Sequence, residues 1–483
     1  MVASNHLEEL RRDVLRRVAR AFLLDENPGE TVSKIPFILR PKNAESDRCC
    51  TYKDRAILRY RCMAAMGFLL EDDPDDSAPL TDYAALAWQR KNSLASFVIS
   101  ACDVACHGCV KARYFVTNIC QGCVAHPCLG ACRFGAIDLI NGRSEIDVAK
   151  CRNCGKCLEC CPYQAIVKLT VPCEKSCPVG AIIKSAQGRA EIDFDKCISC
   201  GRCMRSCPFG AVLERSQLVD LIRLFKDGQN VTAMVAPAIA GQFPVSLEKI
   251  FGGLKKLGFA QVMEVATGAD VTSQHESEEF IERMERSDRF MTTSCCPGYI
   301  QASKKHIPEI KPFISETRTP MHYTAVLADQ ENPGTKTVFI GPCVAKRIEG
   351  MEDSAVDLVL TFEELGALFE AAGINLAEVP PTDLGAGASK EARRYAVSGG
   401  VAAAVLAGVN GRVSLNPIPI SGLSLKNLRQ LSSFAKQTCP GNLVEVMACE
   451  GGCAGGSGVL GERSKVTKAV EAFSDQTAPK PVP

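Results

Sequence analysis

Of the 27 cysteines in this 483-residue chain, most fall between Cys102 and Cys207. Cys197-x2-Cys200-x2-Cys203-x3-Cys207 precedes Pro208, and Cys151-x2-Cys154-x2-Cys157-x3-Cys161 precedes Pro162 in the same pattern. In such runs the first three thiolates hold one 4Fe–4S cubane and the fourth crosses to a partner cluster. A tight loop wraps only one side of a cubane, so the last ligand must come from elsewhere. Zinc fits this spacing poorly, because zinc sites do not normally carry a crossing fourth cysteine before proline.

Both runs are of the bacterial-ferredoxin type. Cys120-x2-Cys123-x4-Cys128-x3-Cys132 completes the Cys151 run as a two-cluster ferredoxin. One cluster takes Cys120, Cys123 and Cys128 with Cys161; the other takes Cys151, Cys154 and Cys157 with Cys132. Cys197, Cys200 and Cys203 then need a donor, and Cys177 before Pro178 fits. Cys106-x2-Cys109 is the first half of a run and Cys173-x3-Cys177 the second half, with the Cys120–Cys161 ferredoxin inserted between them. The fourth set is therefore Cys106, Cys109, Cys173 and Cys207. Cys102 and Cys160 are left over, and either can replace a neighbour. Cys-Pro-x-x-Ala followed by Ile or Val recurs at Cys161, Cys177 and Cys207, and Cys132 to Ile137 is the same unit without proline: an internal repeat. Four clusters in a row make a wire, tuned by burial and by hydrogen bonds to sulfur.

Further along stand three more cysteine segments: Thr293 to Tyr299 with Cys295-Cys296, Gly341 to Glu349 with Cys343 and Lys346, and Glu445 to Cys453 with Cys449. Four cysteines from three loops can hold another cubane, and the glycines around Cys449–Gly458 let backbone approach a bulky cofactor. These segments resemble the three signature motifs of FeFe-hydrogenases, over roughly Val231 to Glu462. The resemblance implies an H-cluster: a cubane on Cys296, Cys343, Cys449 and Cys453, with Cys453 bridging to a diiron unit bearing CO, cyanide and an azadithiolate. It implies that Lys346 donates to a cyanide, that Ala236, Pro237 and Met447 line the pocket, and that Cys295 passes protons, with Glu276, Glu279, Arg283 and Ser315 behind it as the path to the surface. Glu276, Glu279 and Arg283 recur on one face of a helix, as a relay needs. Also implied are H2 and protons as substrates, a ferredoxin or similar small carrier as electron partner, and dedicated maturation proteins. The chain departs from the prototypical pattern at Gly341, often methionine, at Met321, where a polar residue stands, and after Cys453. It thus resembles a divergent monomeric subgroup. A hydrogen sensor and an iron–sulfur assembly scaffold are the alternatives; the doubled Cys295-Cys296 speaks against the scaffold.

The elements that must position these residues follow from the rest of the chain. We expect a helical N-terminal region (1–100), an α+β ferredoxin-like cluster-binding domain (101–215), an α/β H-cluster domain (228–475) and a disordered tail (476–483). Val231–Ala236, Val262–Val265 and Thr337–Ile340 read as strands with helices between them, hence a largely parallel sheet. Glu145 to Asp147 and Glu191 to Asp193 read as short strands before two ligand loops. His6–Leu24 reads as an amphipathic helix packed on the next domain with its arginines in water, and Glu71–Asp76 as a solvated loop. With 56 Lys+Arg against 55 Asp+Glu the net charge is +1, which gives no case for nucleic acid. No signal peptide or membrane span is expected, which with the cysteines reads as a reduced, cytoplasmic protein. No Gly-x-Gly-x-x-Gly opens a helix after a strand, which argues against a nicotinamide or flavin fold.

Overall fold

The computed structural model of the chain describes residues 5–73, 76–90, 97–110, 113–382 and 387–476. The tail expected to be disordered lies outside the described residues apart from Gln476, as do residues 74–75 of the acidic run.

The C-terminal half is built on two parallel sheets. The first runs, in spatial order, Gln261–Glu264, Val231–Val235, Lys336–Gly341 and Leu358–Thr361. Ile340 lies opposite both Val235 and Leu360, so three strands end together at Ala236, Gly341 and Thr361. Val231–Val235 and Leu358–Thr361 are buried throughout, as parallel strands covered on both faces are. The second sheet runs Met291–Thr292, Leu443–Met447 and Pro417–Ser421. The single sheet expected from sequence is thus corrected to two, and the reasons are physical. Pro417-Ile418-Pro419 reads against a strand, yet an edge strand tolerates proline. Met291–Thr292 is too short for a pattern, and the apolar run Leu443–Met447 is broken by Glu445. That carboxylate is fully buried because it accepts the Gly399 and Ala402 amides at 2.6 and 2.8 Å, at the N-terminus of the helix Gly400–Val409.

Short antiparallel pairs organise the cysteine-rich segment as nested brackets. Arg113–Val116 pairs with Ile166–Leu169 around the Cys120–Cys161 stretch. Ile99–Ala101 pairs with Val212–Glu214 around the whole segment. The expected short strands are Arg143–Ile146 and Ala190–Ile192, each closing a small hairpin.

Among the described residues four α-helices precede this segment: His6–Leu24, Pro28–Leu39, Thr51–Ala65 and Leu80–Gln89. The first starts at Asn5, whose side chain accepts the Glu8 amide, and packs on the helix Phe362–Ala371. Not all of its arginines point to water: Arg11 pairs with buried Glu363 at 2.6 Å. The acidic run is also not simply solvated. Glu71 accepts from Ser100, Asp72 from Arg215 at 3.0 Å, and buried Asp73 from Arg59 and Tyr83, each at 2.7 Å. The Ser100 and Arg215 bonds clamp the N-terminal region to the cysteine-rich segment, and the bonds to Asp73 tie two N-terminal helices together.

The joint between the two halves is a buried guanidinium. Arg347, 2% exposed, donates to Glu214 at 2.9 Å and to Glu364 at 2.5 Å. Glu214 ends the outer bracket, and Glu364 also closes the capping box of Phe362–Ala371 with Thr361. Burial pushes the Glu214 carboxyl up to about 7 against the opposing pull of Arg347. Breaking a buried pair costs ~3–5 kcal/mol because the charge left behind is uncompensated. Arg347→Met is expected to lower the urea midpoint accordingly, and adding Glu214→Gln with Glu364→Gln should recover part of the loss. A midpoint equal to wild type in Arg347→Met would show that the joint lies elsewhere.

Candidate functional site

Cys295 and Cys296 follow Met291–Thr292, and Cys296 caps the helix Pro297–His306, where Pro297 occupies the first turn. Cys343 follows Lys336–Gly341, while Cys449 and Cys453 follow Leu443–Met447. All five thiols thus stand beyond the C-terminal ends of parallel strands, where open α/β sheets place their ligands. They line one cavity of about 90 Å3. Its other walls are mostly apolar and include Ala236, Pro237, Met321, Phe339 and Met447. Lys346 and Tyr395 are the polar exceptions. Gly452 takes φ +82, and a Cβ there would lie 2.8 Å from the Ser398 amide; a Cβ at Gly456 would meet the Pro342 carbonyl at 2.4 Å. The glycines of the third segment therefore let the loops close on each other. At Gly341 a Cβ would strike the Phe339 ring at 2.4 Å, so that ring occupies the space a longer side chain would need.

The donor set fits an iron–sulfur cluster. Burial pushes the Cys343 thiol up to about 11 and Cys453 to about 12, so free thiols here are neutral. Binding iron is what makes such groups thiolates. The Ala448 amide points at the Cys296 sulfur at 3.4 Å, a hydrogen bond that favours the charged form. Lys346 is buried too, and its charge survives burial because Glu349 accepts from it at 2.7 and 2.9 Å.

Behind Cys295 the expected path residues lie in sequence. Glu276 is completely buried; its carboxylate oxygens make no well-formed hydrogen bond among the described residues, but the Ser294 amide and the Ser315 hydroxyl lie close enough to pull its pKa down. Burial, with the charge of Glu279 adding to it, pushes this carboxyl up to about 8. Burial followed by Glu276 likewise pushes Cys295 well above the ordinary thiol value. Glu279, one turn on, accepts from Ser315 at 2.6 Å, Thr317 at 2.9 Å and Arg283 at 2.8 Å. Burial works against its ionisation, but those donors hold it below the usual carboxylate range.

Several residues of the site escaped the sequence reading. Tyr395 lines the cavity, shares a 2.8 Å hydrogen bond with Ser273, and lies near Glu276 and Cys295. A tyrosine within the apolar stretch Tyr395-Ala396-Val397 was the available signal. Cys200 also lines the cavity and stands among the thiols that raise Cys449. Phe339 was read only as part of a strand.

In the cysteine-rich segment the structure repeats one device. The residue two after Cys106, Cys120, Cys151 and Cys197 takes positive φ: Gly108, Gly122, Asn153 and Ser199. The residue three after Cys132, Cys161, Cys177 and Cys207 does so as well, and the next amide, from Ala136, Ala165, Ala181 or Ala211, donates to the cysteine sulfur at 3.2–3.4 Å. Several of these thiols lie close enough to influence one another. Cys109 is raised by burial and then, with Lys184 opposing, by Cys106 and Cys207; Cys173 is raised by burial and Cys207. Burial followed by Cys197 and Cys177 raises Cys200, and burial followed by Cys200, Cys197, Cys177 and Cys173 raises Cys203. Cys132, Cys151, Cys154 and Cys157 line one small cavity. Cys120 and Cys128 share Ser144, with Cys128 3.2 Å from its hydroxyl. Of the two left-over cysteines, Cys160 sits beside Cys128 and Cys161, while buried Cys102 lies near Arg61.

The raised Glu276 carboxyl makes stability depend on pH. Its ordinary value is 4.5 and its folded value about 8, so between them the folded state holds a proton that the unfolded state releases. This contribution is full below about pH 4.5 and is lost as pH rises to about 8. Glu276→Gln should therefore gain stability relative to wild type as pH rises from 5 to 9 in urea titrations. Parallel curves for the two proteins would contradict the assignment.

Residues 229–457 match the family described as "Iron only hydrogenase large subunit, C-terminal domain", and residues 143–166 and 190–213 match 4Fe–4S binding domains. The periplasmic [Fe] hydrogenase large subunit of Nitratidesulfovibrio vulgaris is 29% identical over 304 residues, covering 50% of this chain and 72% of that one. Iron hydrogenase 1 of Clostridium pasteurianum is 26% identical over 264 residues, 44% and 45% of the two chains. The cytosolic Fe-S cluster assembly factor narfl of Xenopus tropicalis is 28% identical over 280 residues, 45% and 58%. This chain thus spans less than two thirds of the last two relatives' length. A solved [FeFe]-hydrogenase HydA1 variant from Chlamydomonas reinhardtii overlays 53% of this chain and 87% of its own at 23% identity and a TM-score of 0.43. On its C-terminal match, its paired cluster motifs and its relatives, the chain is a divergent FeFe-hydrogenase-like iron–sulfur protein.

Proposed function

We propose that the chain catalyses the reversible reduction of two protons by two electrons to H2, at an H-cluster held by Cys296, Cys343, Cys449 and Cys453. The observation that carries this reading is Cys295: a second, non-ligating thiol on the cavity wall, backed by a buried carboxyl that is protonated at neutral pH. A scaffold for cubanes has no use for such a station. When bound, the cluster supplies the redox chemistry and a basic atom that exchanges a proton with the Cys295 thiol. Glu276 reloads Cys295, and Ser315, Glu279 and Arg283 connect Glu276 towards the surface. Lys346, with its charge sustained by Glu349, orients the cluster's anionic ligands, and Ala236, Pro237 and Met447 exclude water. The Cys177, Cys197, Cys200 and Cys203 cluster is the last stop of the wire, since Cys200 adjoins Cys449. A small ferredoxin-type carrier feeds the wire, maturation proteins install the diiron unit, and the chain resides in the cytoplasm. No helix among the described residues is long and apolar enough to cross a membrane.

One relative is an assembly factor, so a scaffold is the competing reading. Infrared spectroscopy of the anaerobically matured protein separates the two: CO and cyanide bands are expected, and cubane signals without them would leave only the scaffold. Five cubanes and a diiron unit give about 22 irons per chain after reconstitution; a value near ~10 would defeat the four-set wiring. Turnover with reduced ferredoxin should exceed turnover with NADH by orders of magnitude.

Cys295→Ser isolates proton transfer from assembly, because it leaves all four cubane ligands in place. A serine hydroxyl is far less acidic than a thiol of pKa ~8.5, and general acid–base steps are worth roughly 10²–10⁴-fold. H2 evolution should fall at least that far while the CO and cyanide bands persist. Near-normal evolution with intact bands would mean that protons enter by another route.

A further inference from the structure

Away from the hydrogenase-like cavity, the N-terminal helices and the outer cysteine loops enclose a cleft of about 1040 Å3, at the upper end of the range for small-molecule sites. Six basic side chains line it against two acidic ones, Asp47 and Asp54, and Arg40 engages both of those. Arg48, Arg61 and Arg189 have no carboxylate within ion-pair distance among the described residues. Arg48 donates to the carbonyls of Ala105 and Phe209, Arg61 to that of Gly210, and Arg189 to that of Cys106. Carbonyl contacts position a guanidinium without neutralising it. Arg61 is the most telling of the three. It is 6% exposed, and its Nε has no acceptor among the described residues. A buried donor left open costs about as much as a lost hydrogen bond, so such groups are normally satisfied.

The cleft is not uniformly polar. His107 and Phe209 stack with centroids 4.5 Å apart and planes 11° from parallel. Leu7, Leu10 and Ile57 add apolar wall beside this flat surface. Guanidinium forks suit phosphate oxygens, whereas a flat ring and aliphatic wall suit a heterocycle. Cys106 and Cys207 stand on the same wall, so an occupant lies against the set of Cys106, Cys109, Cys173 and Cys207.

We propose that this cleft is a binding site for a phosphate-bearing, nucleotide-sized small molecule, with its phosphates on Arg48, Arg61 and Arg189 and its ring near Phe209. The depth of Arg61 favours a small anion over a docked protein, whose side chains would have to reach a nearly inaccessible group. The site is independent of H2 chemistry and stands whether or not the diiron unit is present.

Calorimetric titration of the reconstituted full chain with pyrophosphate and with ADP, in low-salt buffer free of divalent metal, tests this. Both should bind at one site, ADP more tightly. Arg61→Met should weaken each by about tenfold to a hundredfold, the worth of a charge-assisted hydrogen bond. Lys53→Glu and Arg48→Gln, on half-buried positions, should also weaken both, and they carry the test if Arg61→Met does not fold. Cluster EPR signals of the reduced protein should change on binding. No saturable binding of either probe up to millimolar concentration would overturn the proposal and leave the arginines as counter-charges for that cluster set. Binding unaltered by these substitutions would overturn it by placing the anion elsewhere. Failure of both probes, together with loss of ferredoxin-driven turnover in Lys53→Glu, would overturn it in favour of an acidic protein partner.

Discussion

The governing constraint is that thiols from three loops, far apart in sequence, must meet around one mostly apolar cavity. Two parallel sheets meet it because their central strands, buried on both faces, end at fixed heights and deliver loops to a common rim. The same burial keeps the free thiols chemically quiet. Thiols pushed to about 11 and 12 at Cys343 and Cys453 stay protonated until iron arrives. Lys346 would be an unpaired buried cation without Glu349 on its own helix. The glycines of the third segment are consequences of the same demand, because a side chain at Gly452 or Gly456 would hold the loops apart.

A wire is useful only if its last station is held rigidly against the cavity it serves. Cys200 adjoins Cys449, and the fixed approach of their loops is visible at Gly201, where a Cβ would lie 2.5 Å from the Ser457 hydroxyl. Arg347 sets that relation from within: it follows Cys343 in the second motif, and its two carboxylate partners belong to the outer bracket of the cysteine-rich segment and to a helix of the first sheet. Burying an ion pair does not by itself stabilise a protein much. Its directionality, however, specifies one docking of the two halves. The clamp from Arg215 to Asp72 does the same for the N-terminal helices.

Cysteine spacing made the cluster segment legible because the spacing is itself the geometry. A residue with positive φ two after the first cysteine, and an amide donating to the crossing cysteine, recur in every set. Cys106-x2-Cys109 shares that first turn, with Gly108 in place and its amide 3.5 Å from the Cys106 sulfur, although it lacks the rest of a run. Three strands of the first sheet were legible from short, mostly apolar runs. The second sheet was not, because Pro417 and Pro419 and the buried Glu445 look like loop residues until their partners are known. Arg11, Asp73 and Arg347 were illegible for the same reason: a charged residue reads as solvent-facing when its counter-charge lies hundreds or even dozens of positions away. Tyr395 was missed because its pairing with Ser273 joins two segments that only folding brings together.

Glu276 and Glu279 show how one helix gives two like groups opposite habits. They lie one turn apart, yet at Glu276 burial outweighs the pull of the Ser294 amide and the Ser315 hydroxyl, while Glu279 accepts from Ser315, Thr317 and Arg283. Burial governs the first and pushes it to about 8; donors govern the second and hold it low. Carboxyls pushed apart in this way divide acid and base roles between them. Under the proposed function, the outer carboxylate stays ionised beside Arg283 and collects protons near the surface. The inner carboxyl, facing Cys295, keeps a proton at rest. Proton affinity therefore rises inward along the path, and the station next to the thiol is loaded before an electron arrives. At Glu276 burial outweighs both the Ser294 amide and the Ser315 hydroxyl, so the neutral form wins, as a station that holds a proton beside the thiol requires.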